Sequence, residues 1–237
     1  MGPVMPSLTL ATPSAIAFGA AMVPISGTPL ALGPRDTQLQ DEVLQQVKLL
    51  HERGALLGGA ANIAVRLEDA PDHVLITARG LPRDLGPDDF GVVTLAGDFV
   101  AGRLGKGIRS VIGMHLLALQ RPGTRMSIHS HSPYATAFAV AHRPIPPHYE
   151  PLFNRGQRVE IPVTRFGERD NGDLVAQIDA LLTEHPATRA VLLANHGVLA
   201  FHDSVVQAAD LLASINDAAA VFIHAQALGG PQPMARG

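Results

Sequence analysis

Ser127-Ile128-His129-Ser130-His131-Ser132-Pro133-Tyr134-Ala135-Thr136-Ala137 is the stretch on which the reading of this chain turns. Residues 126–131 form an extended run, closed off behind by Arg121-Pro122-Gly123 and followed by a helix predicted near residues 133–140. Successive side chains on a strand point to opposite faces, so His129 and His131 share one face and Ser130 takes the other. Two imidazoles on one face can share a cation. A third, His196, stands far away in sequence in Ala194-Asn195-His196-Gly197, directly after an apolar run, where Gly197 lets the backbone turn and project the ring across the sheet end. Three neutral imidazoles suit zinc, iron, copper or nickel better than calcium or magnesium, and leave coordination positions for water or substrate. By spacing alone, each histidine reads equally as an ordinary core or surface residue.

Outward from this stretch, helix and strand patterns alternate without an internal repeat. Leu39, Val43, Val47 and Leu50 fall on one face of a first helix, with Asp36 or Thr37 as its predicted cap and Gly54 at its C-terminal end. Runs at 62–67, 73–77 and 90–95 read as neighbouring strands, and Ala96-Gly97-Asp98 reads as a hairpin turn into another. Residues 110–120 have helical spacing. The stretch 142–156 carries four prolines and reads as a surface loop, followed by a strand at 159–163 and a helix at 170–184. Residues 190–194 and 198–201 read as buried strand on either side of a His196-Gly197 turn, and 204–228 as a long Ala-rich helix. The expected fold class is α/β, a sheet covered by helices on both sides.

Composition bounds the chemistry. The 237 residues are 46% hydrophobic and 16% charged, enough apolar material for a packed core, and wholesale disorder is excluded. No cysteine is present, so thiolate metal sites, disulfides and a cysteine nucleophile fall away, and any metal rests on His, Asp or Glu. A formal charge of −3 with no long basic run gives no footing for a nucleic-acid partner. Residues 1–34 lack charge, but Pro3, Pro6, Pro13, Pro24 and Pro29 break every candidate apolar helix, and no basic residue precedes Arg35. The expected organisation is an irregular arm over residues 1–35, one domain over 36–230 and a tail over 231–237, with no membrane partner and a cytoplasmic location.

The surroundings of the histidines go further. Gly58-Gly59-Ala60-Ala61-Asn62-Ile63-Ala64-Val65-Arg66, Leu75-Ile76-Thr77-Ala78-Arg79-Gly80, Met114-His115-Leu116, Arg121-Pro122-Gly123, the His-Ser-His stretch and Leu193-Ala194-Asn195-His196-Gly197-Val198 occur in this order. Together they resemble the class II aldolase/adducin-like family over about residues 38–228. That resemblance implies a three-layer α/β/α sandwich with a central mixed or antiparallel sheet, assembled as a homotetramer. It also implies a divalent metal, zinc first with iron or manganese as alternatives, on the histidines matching His129, His131 and His196. In such enzymes the metal stabilises negative charge on substrate oxygens while a carbon–carbon bond breaks or forms.

The departures from the family pattern carry equal weight. Where its aldolases place a proton-transferring glutamate, four residues before the position of His115, this chain has Val111, and Ser110, Ile112 and Gly113 supply no carboxylate. The catalytic acid/base is therefore unassigned, with His148, Tyr149 and Glu150 in the proline-rich loop as candidates for a replacement. Asn62, Arg79, Gly80, Arg109 and Ser110 match the family's anion-binding loops and are the expected substrate contacts. Arg79, a guanidinium where a small hydroxyl is usual, reads either as a clamp for carboxylate or phosphate or as a solvent-facing side chain. Lys106 and Arg109 add positive charge to a Gly-rich loop. His115 reads as a packed residue behind the ligands, Tyr134 as core filling, and His51, His73, His142, His185, His202 and His224 as ordinary. Three functions remain: a metal-dependent carbon–carbon lyase, by aldol cleavage or decarboxylation, on a small anionic hydroxy or oxo acid; a non-haem iron oxygenase acting on an aromatic oxo acid; and a non-catalytic adducin-like interaction domain.

Overall fold

The computed structural model describes residues 25–57, 61–109, 111–167 and 172–234. Among the described residues eight strands make one sheet: β1 (Ile25–Ser26), β2 (Ala61–Arg66), β3 (His73–Thr77), β4 (Phe90–Thr94), β5 (Phe99–Leu104), β6 (Met126–Ser130), β7 (Ala190–Leu193) and β8 (Gly197–His202). Their order across the sheet is β1-β5-β4-β3-β2-β6-β8-β7. Every ladder is antiparallel, which settles the mixed-or-antiparallel alternative; a parallel pairing enters only through the isolated Val163–Leu192 bridge.

Helices cover both faces. On one lie α1 (Pro34–Glu52), α4 (Pro133–Val140), α5 (Glu150–Asn154) and α7 (Val205–Ala225), sharing a core with Ile63, Leu75, Ile128, Leu192 and Ala200. On the other lie α2 (Lys106–Arg109), α3 (Ile112–Leu119) and α6 (Asp173–Glu184), packed on Ala64, Ile76, Val191, Leu199 and Phe201. Alternation along the central strands feeds both cores, so these strands are mostly apolar and buried on both sides. The segment from Val205 to Leu228 is long and apolar enough to cross a membrane. It instead buries Leu211, Leu212, Ile215 and Phe222 in the first core.

Several local expectations change. α1 begins earlier than its predicted cap: Gly33 is the cap residue, Pro34 opens the helix, and the Thr37 amide and hydroxyl both donate to the Gly33 carbonyl. Asp36 is buried and turned away from the helix end, accepting from the amides of Glu68 at 2.6 Å and Asp69 at 3.3 Å. Its carboxylate holds the β2–β3 turn against α1. At the other end, Gly54 with φ +70° and the bonds Gly54 N–His51 O and Ala55 N–Leu50 O form the expected left-handed closure.

The arm is not irregular throughout, because Ile25–Ser26 adds a strand to β5; residues 1–24 lie outside the described residues. The strand predicted at 159–163 reduces to two isolated bridges, Ile145–Ile161 and Val163–Leu192, since Pro162 supplies no amide for a continuous ladder. The proline-rich loop contains the short helix α5, which Pro151 helps to open. The helix expected from 170 starts at Asp173, with residues 170 and 171 outside the described set.

The Asp36 contact yields a stability prediction. Asp36→Ala leaves two part-buried amides without their charged acceptor and should cost about 1 kcal/mol or more in urea unfolding; a change under about 0.5 kcal/mol would show that this contact does not hold the turn against α1.

Candidate metal centre

β6 lies at the middle of the sheet, hydrogen-bonded to β2 on one side and β8 on the other, so its side chains have fixed neighbours. His129 is opposite Asn62 on β2 and Leu199 on β8, and only 2% exposed. His131 follows one residue beyond the strand on the same face. The intervening serines turn to the opposite face. Ser130 Oγ and Ser132 Oγ donate to the Ala55 carbonyl at 3.1 and 2.7 Å and lie 2.8 Å from each other, anchoring the strand end behind α1. Because Ser132 is committed there, Asn216 of α7 supplies the acceptor for the Tyr134 amide at the start of α4.

His196 enters from the β7–β8 turn. Its ring centroid lies 4.5 Å from that of His129 and 4.8 Å from that of His131, and the two β6 imidazoles are 5.0 Å apart. One ring nitrogen from each falls within 4.8 Å of the others. Zinc–nitrogen bonds of about 2.0–2.1 Å in tetrahedral geometry set nitrogens about 3.4 Å apart, so small ring rotations bring these three onto one ion. Gly197 makes the approach possible: a Cβ there would collide with the Ser130 carbonyl and press on His131 Cδ2 at 3.0 Å and His129 Cε1 at 3.3 Å.

The donor chemistry fits a divalent metal. His129 Nδ1–H donates to the Val198 carbonyl at 3.0 Å, which leaves Nε2 with its lone pair. Burial, reinforced by the facing imidazoles of His196, His131 and His115, pushes the His129 pKa well below its ordinary value. The ring is neutral at working pH and ready to coordinate. Among the described residues the cluster contains three histidines and no carboxylate.

Behind the cluster, His115 of α3 is completely buried, and burial lowers its pKa to about 3. Its Nε2–H donates to Asn62 Oδ1 and its Nδ1 accepts from Ser127 Oγ–H at 2.7 Å. It is a packed residue that orients Asn62 beside His129. The sequence puts His115 behind the ligands but names no partner for it; the cross-strand register of Asn62 and His129 supplies one.

The other candidates are distributed unevenly. Val111 is 5% exposed and packs with Met114, Leu174, Ile178 and Leu199 on the α3–α6 side, so apolar contact replaces a carboxylate at that position. Tyr149 meets the Phe222 ring of α7 with centroids 6.5 Å apart, and Glu150 opens α5. His148 directly precedes them. Tyr149 and Glu150 thus lie with α5 and α7, in the layer opposite the sheet face that carries His129. Tyr134 is 42% exposed rather than core filling.

Arg79 makes a bidentate pair with Asp89, at 2.9 and 3.0 Å. The shared hydrogen bonds raise the Arg79 pKa and lower that of Asp89. The loop carrying Arg79 and Gly80 meets the second Gly-rich loop through Gly105 N–Ala78 O, 2.7 Å, just before Lys106 and Arg109. Ser110 lies outside the described residues.

The family model described as Class II Aldolase and Adducin N-terminal domain matches residues 41–223. The chain belongs to this family. Within it, the chain is 29% identical over 199 residues to a 3-oxo-tetronate 4-phosphate decarboxylase of Haemophilus influenzae, covering 79% of this chain and 88% of that protein. It is 28% identical over 206 residues to an L-fuculose phosphate aldolase of Escherichia coli, covering 83% and 86%. Among solved structures, an L-fuculose 1-phosphate aldolase shares the fold with a TM-score of 0.74 at 24% identity, over 86% of this chain and 94% of that one. The family resemblance and the α/β/α sandwich read from the sequence both hold.

The neutral, buried state of His115 has a pH consequence. Its folded pKa lies below the ordinary 6.5, so the stability it confers is complete above that value and is lost as pH falls toward 3. His115→Gln should therefore reduce the stability lost by the metal-free protein between pH 6.5 and 4.5 by about 2 kcal/mol in urea unfolding. An unchanged loss would mean that His115 is not the buried neutral base described.

Proposed function

We propose that this chain is a metal-dependent carbon–carbon lyase acting on a small anionic oxo or hydroxy acid, with decarboxylation favoured over aldol cleavage. The observation that carries this reading is the convergence of His129, His131 and His196 on one point beside Asn62, with apolar Val111 at the position of the family glutamate. The relatives named above, a decarboxylase of a phosphorylated 3-oxo acid and an aldolase of a ketose phosphate, support the same class.

His129, His131 and His196 would hold the cation, zinc by preference for nitrogen donors, with iron or manganese as alternatives. When bound, it supplies Lewis-acid stabilisation of negative charge developing on substrate oxygen. The protein's own part is positional. The sheet holds His129 neutral, and His115 fixes the Asn62 amide with its oxygen engaged, leaving the NH2 group as the donor for a substrate oxygen. The Arg79–Gly80 loop, with Arg79 held in place by Asp89 and Gly105 bonded to Ala78 at the entry to α2, would form the anion end of the site, with Arg109 and Ser110 as the expected further contacts.

The choice of reaction follows from the missing base. A 3-oxo acid breaks the bond between its carboxylate and its α-carbon as the electron pair flows toward the oxo group and carbon dioxide leaves. The α-carbon then takes up a proton. No group has to remove a proton to begin, so an apolar Val111 is compatible with this sequence and less so with an aldol step that starts from proton removal or addition. The proposal includes residues 36–230 acting as one domain, a homotetrameric assembly and a cytoplasmic location.

The test is a product screen of the zinc-, manganese- and iron-loaded protein against phosphorylated 3-oxo acids and ketose 1-phosphates, under air and under nitrogen. Carbon dioxide release independent of oxygen, abolished together with metal content by His131→Ala, is expected. Aldehyde release from ketose phosphates would move the assignment to aldol cleavage. Oxygen consumption with iron would replace the lyase by an oxygenase, and retention of full metal by His131→Ala would remove His131 from the ligand set.

A further inference from the structure

Among the described residues, two that are not glycine have positive φ, His142 at +51° and Asn195 at +56°. They are 53 positions apart in sequence, yet His142 Nε2–H donates to Asn195 Oδ1 at 2.6 Å. Neither is accidental to its element. His142 closes α4: its amide donates to Ala139 O and the next amide, of Arg143, donates to Phe138 O, the bond pattern in which a glycine usually occupies the left-handed position. Asn195 stands in the β7–β8 turn immediately before His196, and its amide donates to the same Ala139 carbonyl at 3.2 Å. The end of α4 thus grips the turn twice, once through backbone and once through the His142 ring.

A left-handed conformation is unfavourable for a side chain with a Cβ, and persists where surrounding contacts over-determine it. Glycine at 142 would close α4 without that strain, but it would leave the Asn195 amide oxygen without this donor. The segment from Asn195 to Gly197 also has little freedom to be misplaced. Gly197 already sits against the Ser130 carbonyl and the rings of His131 and His129, and the His196 ring must meet both of its partners.

We propose that His142 is a positioning residue for the metal centre, holding Asn195 in the left-handed turn that aims His196 at His129 and His131. This rests on the three-histidine metal reading above. His142 itself is an exposed residue that touches none of the three rings in this argument; it acts through Asn195. Groups that orient metal-binding imidazoles typically change metal affinity by about 10- to 100-fold when removed.

The test uses the full chain and the metal ion alone. Zinc affinity is measured by competition with a chromophoric chelator, and coordination geometry by the visible spectrum of the cobalt(II) form. The variants are His142→Gly, which keeps the closure of α4 while deleting the ring; Asn195→Gly, which keeps the turn while deleting the acceptor; and the double variant. Each single variant should weaken zinc binding by about tenfold or more and alter the cobalt spectrum, and the double variant should be no weaker than the worse single one. Wild-type affinity and an unchanged cobalt spectrum in His142→Gly would overturn the role of His142. Losses that multiply in the double variant would show that the two side chains do not act as a unit, and would overturn it as well. A wild-type chain that binds no zinc or cobalt would instead overturn the metal reading on which the inference stands.

Discussion

The structure depends on the two-residue alternation of one central strand. From His129 to Ser132, across the end of β6 and the two residues after it, histidines and serines alternate onto opposite sides of the sheet: His129 and His131 toward the metal centre, Ser130 and Ser132 onto the Ala55 carbonyl. A shift of one residue in register would send the imidazoles into the apolar core and the serines to the site. β2 and β8 fix that register from either side, and each contributes to the chemistry. β2 brings Asn62 opposite His129, while β8 brings the carbonyl of Val198 that selects the tautomer of His129 and the Gly197 that lets His196 approach.

Electrostatics follow from the same placement. Among the described residues no carboxylate partners His129 or His115, both buried on one side of the sheet, so both are held neutral by the cost of desolvating a charge. For His129 neutrality keeps a lone pair available to a cation. For His115 it makes the ring a donor on one side and an acceptor on the other, which is what Asn62 and Ser127 require. The apolar packing of Val111 belongs to the same picture. An ionised carboxylate at that position would lie among Met114, Leu174, Ile178 and Leu199, whereas valine fills the space between α3 and α6. This packing is what the proposed decarboxylation rests on, since that reaction begins by losing carbon dioxide rather than a proton.

Much of this was legible in the sequence because the signals are local. The period of two in His129-Ser130-His131 puts two imidazoles on one face, and the apolar run before His196 with the glycine after it offers a third, although spacing alone left each of them open to an ordinary reading. The order of the surrounding segments adds the family and the sandwich. What escaped the sequence depends on contacts between distant elements. Asp36 has the residue type of a helix cap, yet its carboxylate bonds the Glu68 and Asp69 amides across 32 and 33 residues. Residues 159–163 have strand composition, but Pro162 supplies no amide for a continuous ladder and isolated bridges are what form. Arg79 is paired with Asp89, Tyr149 is packed on Phe222, and His142 looks like any surface histidine until its φ and its bond to Asn195 are seen together. One local signal does point to His142: it is a bulky residue where the end of α4 calls for glycine.

The most direct measurement of the central claim is X-ray absorption at the zinc edge of the loaded protein, which counts the imidazoles around the ion. The account predicts about one zinc per chain, with three imidazole nitrogens at about 2.0–2.1 Å and the remaining coordination supplied by solvent or a small anion. Two or fewer imidazoles, or a spectrum unchanged in His196→Ala, would contradict it.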